Sequence, residues 1–240
     1  MKLGIIGAGA MGTTLARHLL GLGHEVAISG SRGAGSVTAL AARIGAIPAS
    51  VQDAANLGEV VILAIPTKAV LQLPQELFAH LPSSVVVVDA GNYHPELRDG
   101  RIDGIEQGLP DSQWVAQQIG RPVIKAFNNI LATSLLEKNV PRGAPGRIAL
   151  PVAGDAQEAR AAVLRLVDAI GFDPVDAGDL QSSWRQGTGT PAYCQDLDSA
   201  SLRRALAEAE RSRVNEYRAQ REAHLKSFLA AQLAVPSPVY

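Results

Sequence analysis

Cysteine is almost missing from this chain of 240 residues, where Cys194 stands alone. It has no partner for an internal disulfide, and no Cys/His cluster shows zinc-ligand spacing, so neither a disulfide framework nor a metal site is expected. Long apolar runs are missing as well. The longest, such as Val60–Pro66 and Val85–Val88, fall far short of the ~20 residues that a membrane-spanning helix requires. The opening Met1-Lys2-Leu3-Gly4-Ile5-Ile6 leads straight into glycines instead of the apolar region of a secretory signal, and the expected localisation is cytoplasmic. A surplus of one charge sign is also lacking: 22 Lys and Arg face 23 Asp and Glu, a net charge of −1. Nucleic acid would demand a basic stripe, so no such partner is expected.

What the chain does hold is apolar residues, 47% of the total against 19% charged. At this length a fold buries roughly 70–75% of the surface its unfolded chain exposes, enough for a core without covalent staples. Short runs rich in Val and Ile mark strands at Leu3–Ile6, Val26–Ile28, Val60–Ile65 and Val85–Asp89. Their near-continuous hydrophobicity means burial on both faces, as in a parallel sheet wrapped by helices. Ala10–Leu22, Val37–Ile44 and Val51–Leu57 supply crossover helices. Further strands are expected at Pro122–Phe127, Ile148–Ala153 and Phe172–Asp176, with a helix at Gln157–Ile170. The series predicts an α/β fold with a Rossmann-type doubly wound, mostly parallel sheet and a short helical C-terminal extension.

After about Leu180 the texture changes. Gln181–Pro191 reads as a loop, and Leu202–Leu233 as one long charged helix with a thin apolar stripe of Val214, Tyr217, Leu225 and Phe228. Such a seam fits a helix packed on its own domain or on a sister subunit. The expected organisation is a dinucleotide-binding domain over residues 1–180 and an extension over 181–240 that serves as a lid or joins two copies in a homodimer.

Gly7-Ala8-Gly9-Ala10-Met11-Gly12 is a G-x-G-x-x-G that follows a strand and opens a helix, the context in which this pattern binds a dinucleotide. Gly7 permits the tight turn, Gly9 lets the backbone approach a pyrophosphate, and Gly12 lets helix and strand pack closely, while the helix N-terminus offers free N–H groups. A glycine turn with no ligand is the competing explanation. An NAD site places an acid at the end of the second strand to bind the ribose 2′-OH. Here that strand ends Ile28-Ser29-Gly30-Ser31-Arg32, and Glu25 comes too early. Ser29, Ser31 and the Arg32 fork suit a 2′-phosphate instead, so the expected cofactor is NADP(H). A solvated arginine in a turn would look the same.

Together with Ala64-Ile65-Pro66, Val123-Ile124-Lys125-Ala126-Phe127-Asn128 and Asp176-Ala177-Gly178, the segment Gly4–Gly12 and the turn at Ser29–Arg32 resemble the coenzyme F-420-dependent NADP oxidoreductase family. They are similar too to the cytosolic reductase domain of six-transmembrane metalloreductases, whose membrane part is absent. The resemblance implies a Rossmann domain with nicotinamide across the strand ends, and a deazaflavin (coenzyme F-420) or a flavin as hydride partner. It places Ala64, Ile65 and Pro66 beside a ribose, and Lys125, Ala126 and Asn128 at the edge of the nicotinamide pocket. Asp89-Ala90-Gly91-Asn92 ends another strand at that edge. Simpler roles exist for each: Pro66 stops a strand, Asp89 and Gly91 form a turn, Asn128 caps a helix. The segment from Gln181 onward departs from the deazaflavin enzymes.

Hydride transfer between cofactors needs little acid–base machinery, and no Ser-His-Asp or Cys-His arrangement is visible. No catalytic residue is assigned; among five scattered histidines, His94 lies nearest the strand edge. Two alternatives stand beside this reading. One is reduction of a small imine or carbonyl, as in pyrroline-5-carboxylate reductases or β-hydroxyacid dehydrogenases, which the opening glycines also resemble but whose second domains are larger. The other is a non-catalytic NADP(H) sensor. Trp184 and Tyr193 decide between a lid over the nicotinamide and a simple anchor for the extension.

Overall fold

The computed structural model describes residues 1–234, and 235–240 of the expected extension lie outside them. Strands β1 (Lys2–Ile6), β2 (Glu25–Ser29), β3 (Ile47–Ala49), β4 (Val60–Leu63), β5 (Val86–Asp89) and β6 (Ile124–Lys125) form one sheet in the order β3-β2-β1-β4-β5-β6. All its neighbours are parallel. The reversal of direction beside β1 creates the crevice at the carboxyl ends of β1 and β4 where ligands of such sheets bind. The Rossmann-type fold read from the sequence is therefore the fold of the molecule.

Helices α1 (Ala10–Gly21), α2 (Thr38–Ile44) and α3 (Val51–Leu57) make the first crossovers. Ser50 caps α3 by accepting a hydrogen bond from the Asp53 N–H, which satisfies one of the donors that open any helix. After β5 come α4 (Asp103–Glu106) and α5 (Asp111–Ile119), which the sequence did not announce, and α6 (Ala132–Glu137), a helix expected after Asn128 but capped by Leu131 instead. One face of the sheet is covered by a layer that includes Leu15, Leu19, Leu135, Val163 and Leu166. The other is covered by Val70, Phe78, Trp114, Val115 and Ile119. Both faces are thus buried, which is why the strands are apolar throughout rather than alternating.

The structure corrects the sequence reading in four places. First, β3 was not expected, because three residues containing a proline give almost no strand signal; at a sheet edge a proline is tolerated. Second, only Ile124 and Lys125 of Pro122–Phe127 join the sheet, since the chain turns at Phe127, whose φ is +63°. Third, β7 (Ala149–Val152) and β8 (Asp173–Asp176), joined by α7 (Gln157–Ala169), pair only with each other in parallel. An antiparallel bridge between Lys125 and Ala153 links this small sheet to the main one.

Fourth, the extension is neither a loop nor one helix. Leu180–Gln186 is a 3-10 helix, and the long helix is split into α8 (Ser199–Glu208) and α9 (Val214–Ala234). Between them Ala209 is extended, and the 3-10 turn Arg211–Arg213 follows. The break lets Leu202, Ala205 and Leu206 of α8 cover Ala149 and Val175 of the small sheet. It also lets α9 turn back to the segment Pro95–Asp99 after β5, which a straight continuation of α8 would not allow. Of the expected apolar stripe, Tyr217 is buried, Val214 and Leu225 are half-buried, and Phe228 is exposed.

Candidate functional site

The glycine turn between β1 and α1 has the geometry its sequence requires. Gly7 sits at φ +118°, and a side chain there would meet the Ala64 carbonyl; its N–H donates to the Ser29 carbonyl at 2.9 Å. A Cβ on Gly12 would lie 1.9 Å from the Gly7 carbonyl oxygen, so α1 can approach the turn only because residue 12 has no side chain. Gly9, which caps α1, is different: nothing lies within 4 Å of the position its Cβ would take. Gly9 and Ala10 are exposed, with Ala8 and Met11 half-buried beside them. The groove over Ala8–Ala10 is flanked by Arg17, Arg43 and Thr133. A concave surface of helix-end N–H groups near cations is suited to an anion.

The end of β2 divides the three residues expected to hold a 2′-phosphate. Ser31 and Arg32 are exposed and make no hydrogen bond or ion pair among the described residues. Ser29 is fully buried, and its hydroxyl donates to the Ile5 carbonyl at 3.4 Å. That corrects its expected role: the side chain points into the sheet, and the backbone carbonyl holds the glycine turn.

At the ends of β4, β5 and β6, Ala64, Ile65 and Pro66 are half-buried along the rim, with the Ala64 N–H donating to Ile6 of β1. Ala126 is fully buried. Lys125, expected at the pocket edge, lies beneath it and is completely enclosed. Its Nζ is 3.2 Å from Asp89 Oδ2 and 3.3 Å from Asp111 Oδ2, and donates to the Gly91 carbonyl at 2.7 Å. Burial drives such an amine towards neutrality, but Asp111 and Asp89 outweigh it and hold the ammonium above its ordinary range. Asp89 also accepts from Ser112 Oγ at 2.6 Å and from the Gly91 N–H at 2.9 Å. Lys125 therefore clamps the turn after β5 to the start of α5.

Asn128 is equally committed. Its Nδ2 donates to Asn92 Oδ1 at 3.0 Å and to the Gln186 carbonyl at 2.7 Å; its Oδ1 accepts from Gln186 Nε2, and its carbonyl accepts from Asn92 Nδ2. This amide knot fastens the segment from Gln186 to Cys194 across the strand edge, helped by Thr188 Oγ1 on the Tyr93 carbonyl and the Cys194 N–H on the Asn129 carbonyl. His94 lies behind the knot. Its Nδ1 has no hydrogen bond, the nearest acid being Glu222 of α9 at 3.7 Å. Burial, then the Arg98 charge, lowers its pKa to about 4. Tyr193 and Cys194 are pushed up by burial, the thiol to about 11, which leaves it a thiol at neutral pH.

Sequence reasoning therefore found the loops and missed the groups that hold them: Asp111, Ser112, Gln186 and Glu222. No local signal could have marked these, because each acts on a partner at least 14 residues away. Trp184 is half-buried beside Arg185 and Arg211, the latter in the 3-10 turn that precedes α9. Among the described residues no helix is long and apolar enough to cross a membrane, and no group of three or more His, Cys, Asp or Glu could hold a metal ion.

Comparison with known proteins gives this geometry a context. Residues 2–93 match the family model described as NADP oxidoreductase, coenzyme F-420-dependent, and the resemblance read from the sequence is borne out over that stretch. The protein YjhV of Escherichia coli (strain K-12) is 40% identical over 91 residues, 38% of this chain and 59% of that protein. This chain thus covers less than two thirds of that curated relative. The crystal structure of the hypothetical protein SMa0349 from Sinorhizobium meliloti superposes with a TM-score of 0.70 at 29% identity, covering 83% of this chain and 96% of that one. A protein of Arthrobacter sp. FB24, provisionally described as an F-420-dependent NADP reductase, superposes with a TM-score of 0.61 at 20% identity, covering 76% and 87%. At that identity the likeness is one of fold.

Proposed function

We propose that the chain is an NADP(H)-dependent oxidoreductase that passes a hydride between NADPH and a flavin- or deazaflavin-like ring, coenzyme F-420 being the deazaflavin. The observation that carries this reading is the division of labour among the three glycines: Gly7 in a positive-φ turn, Gly12 pressed on that turn, Gly9 open. A backbone-lined approach for a ligand accounts for glycine at this open position. The N–H groups from Gly9 to Met11 would bind the pyrophosphate. Ser31 and Arg32 would bind the 2′-phosphate, and Ala64, Ile65 and Pro66 would line the way to the nicotinamide. When bound, the nicotinamide supplies the hydride.

Around that edge the protein's own residues position and exclude rather than exchange protons. Lys125 and Asn128 spend their polar atoms on Asp89, Asp111, Gly91, Asn92 and Gln186. That supports a ring-to-ring hydride transfer, in which the partner ring carries its own chemistry, over reduction of a small imine or carbonyl by a protein acid. The proposal includes action in the cytoplasm, as a homodimer, with no membrane or nucleic-acid partner.

Titration of the purified chain with NADPH and NADH tests the cofactor assignment. Arg32→Ala should weaken NADPH binding by about 1–3 kcal/mol, the worth of a charged hydrogen bond, and leave NADH nearly unchanged. Equal affinity of the wild type for the two dinucleotides would refute it.

A further inference from the structure

A small cavity of about 100 Å³ opens between the N-terminal end of α5, the 3-10 helix Leu180–Gln186 and the start of α9. None of its lining residues belongs to the glycine turn, to the end of β2 or to the rim at Ala64–Pro66. One part of the wall is apolar, with Leu109, Val214 and the rings of Tyr93 and Trp184. The other part carries two guanidinium groups whose bonding is incomplete.

Arg218 is 8% exposed, and its guanidinium lies 4.8 Å from the Tyr93 ring centroid. Only its Nη1 is engaged, by Asn215 Oδ1 at 3.1 Å and Glu106 Oε1 at 3.6 Å; Nε and Nη2 have no partner among the described residues. Arg211 donates only to backbone carbonyls, those of Gly108 at 2.8 Å and Gln181 at 3.4 Å, and has no carboxylate within ion-pair distance among the described residues. The acids nearby are already served: Asp111 is held by Lys125, and Glu106 by Arg218 and the Tyr93 hydroxyl. A buried planar donor with a free edge, beside a cation without an acid and opposite apolar walls, matches a molecule with one carboxylate and a compact apolar body.

We propose that this cavity binds a small organic carboxylate, with Arg218 and Arg211 as the groups that recognise its charge. The site stands apart from the dinucleotide reading and does not depend on it. Thr188, which lines the cavity, also fastens the Gln186–Cys194 segment to Tyr93, so an occupant touches the piece of chain that crosses the strand edge.

Ligand-observed NMR titration of the full chain with propionate, its neutral isostere propionamide and inorganic phosphate provides the test. Propionate should bind saturably, with propionamide and phosphate at least tenfold weaker. Arg218→Met should weaken propionate at least tenfold. Because loss of the Glu106 pair could unsettle the fold, Ser212→Glu is the companion variant: Ser212 is exposed at the cavity wall, and a negative charge there should weaken propionate at least fivefold. The proposal is overturned if propionate does not bind, if propionamide or phosphate binds as well, or if Ser212→Glu binds propionate like the wild type. NADPH titrations on the same samples report the cofactor assignment separately.

Discussion

Two glycines of the turn should fail in opposite ways when each is replaced by alanine. At Gly12 the new Cβ would stand 1.9 Å from the Gly7 carbonyl oxygen and 3.2 Å from an Ile5 methyl. The first neighbour is backbone, so relief requires α1 and the turn to part by about 1 Å, and overpacking of this kind costs about 3 kcal/mol. Alanine's helix propensity returns up to about 1 kcal/mol of that. The net loss of about 2 kcal/mol corresponds to a fall in Tm of roughly 4–8 °C for a chain of this size. At Gly9 the methyl meets nothing within 4 Å, and the residue's φ of −76° and ψ of −173° are open to alanine. The cost there is a weaker helix cap, about 0.5–1 kcal/mol. That methyl nevertheless occupies the approach to the helix-end N–H groups, and NADPH binding should fall at least tenfold, or about 1.4 kcal/mol. Thermal unfolding followed by circular dichroism, with NADPH titration below the transition, separates the two effects. A folded Gly9→Ala variant that binds NADPH within twofold of the wild type would refute the role given to the open glycine.

Two further outcomes follow from the buried charges. Lys125→Met strands Asp89 and Asp111 without their cation, and losing one partner of a buried pair costs about 3–5 kcal/mol; chemical denaturation should show this, and a loss under 1 kcal/mol would mean that the clamp is not stabilising. His94 is neutral in the fold well below its unfolded pKa of 6.5, which adds stability that is fully present above pH 6.5 and lost as pH falls towards 4. The loss should approach about 1.4 kcal/mol per pH unit in that window, and denaturant titrations of His94→Gln should show a shallower decline; an unchanged pH dependence would refute it.

How much of this was legible in the sequence depended on the range of the forces involved. The glycine turn, the strands and α1 to α3 are dictated by near neighbours: a positive φ at Gly7, β-branched runs, a serine that caps α3. They appear in the sequence with boundaries close to those observed. The edge strand Ile47–Ala49 was hidden because pairing with β2, not intrinsic preference, makes it a strand. The candidate site was legible in outline only. Arg32 and Ser31 are exposed at the end of β2, whereas the side chains of Ser29, Lys125 and Asn128 are buried and bonded within the fold. Alternation along a two-residue strand cannot tell whether a lysine rises to the rim or sinks beneath it. The two carboxylates that draw it down come from β5 and α5, 36 and 14 residues away. The break after α8 was invisible for a similar reason: no glycine or proline marks it, and it exists because two separate surfaces must be covered.

The borders of the main sheet have a bearing on how copies of this chain can meet. Strands at the margin of a sheet offer unpaired amide groups on which another chain can add itself, the usual route to fibres and to intermolecular sheets. On one side β3 is three residues long and includes Pro48, which has no N–H to donate. On the other, the outer amides of Lys125 are spent on Ala153, at 2.8 and 3.0 Å. Both margins of the main sheet are closed to templated growth, which protects the apolar strands between them from aggregation.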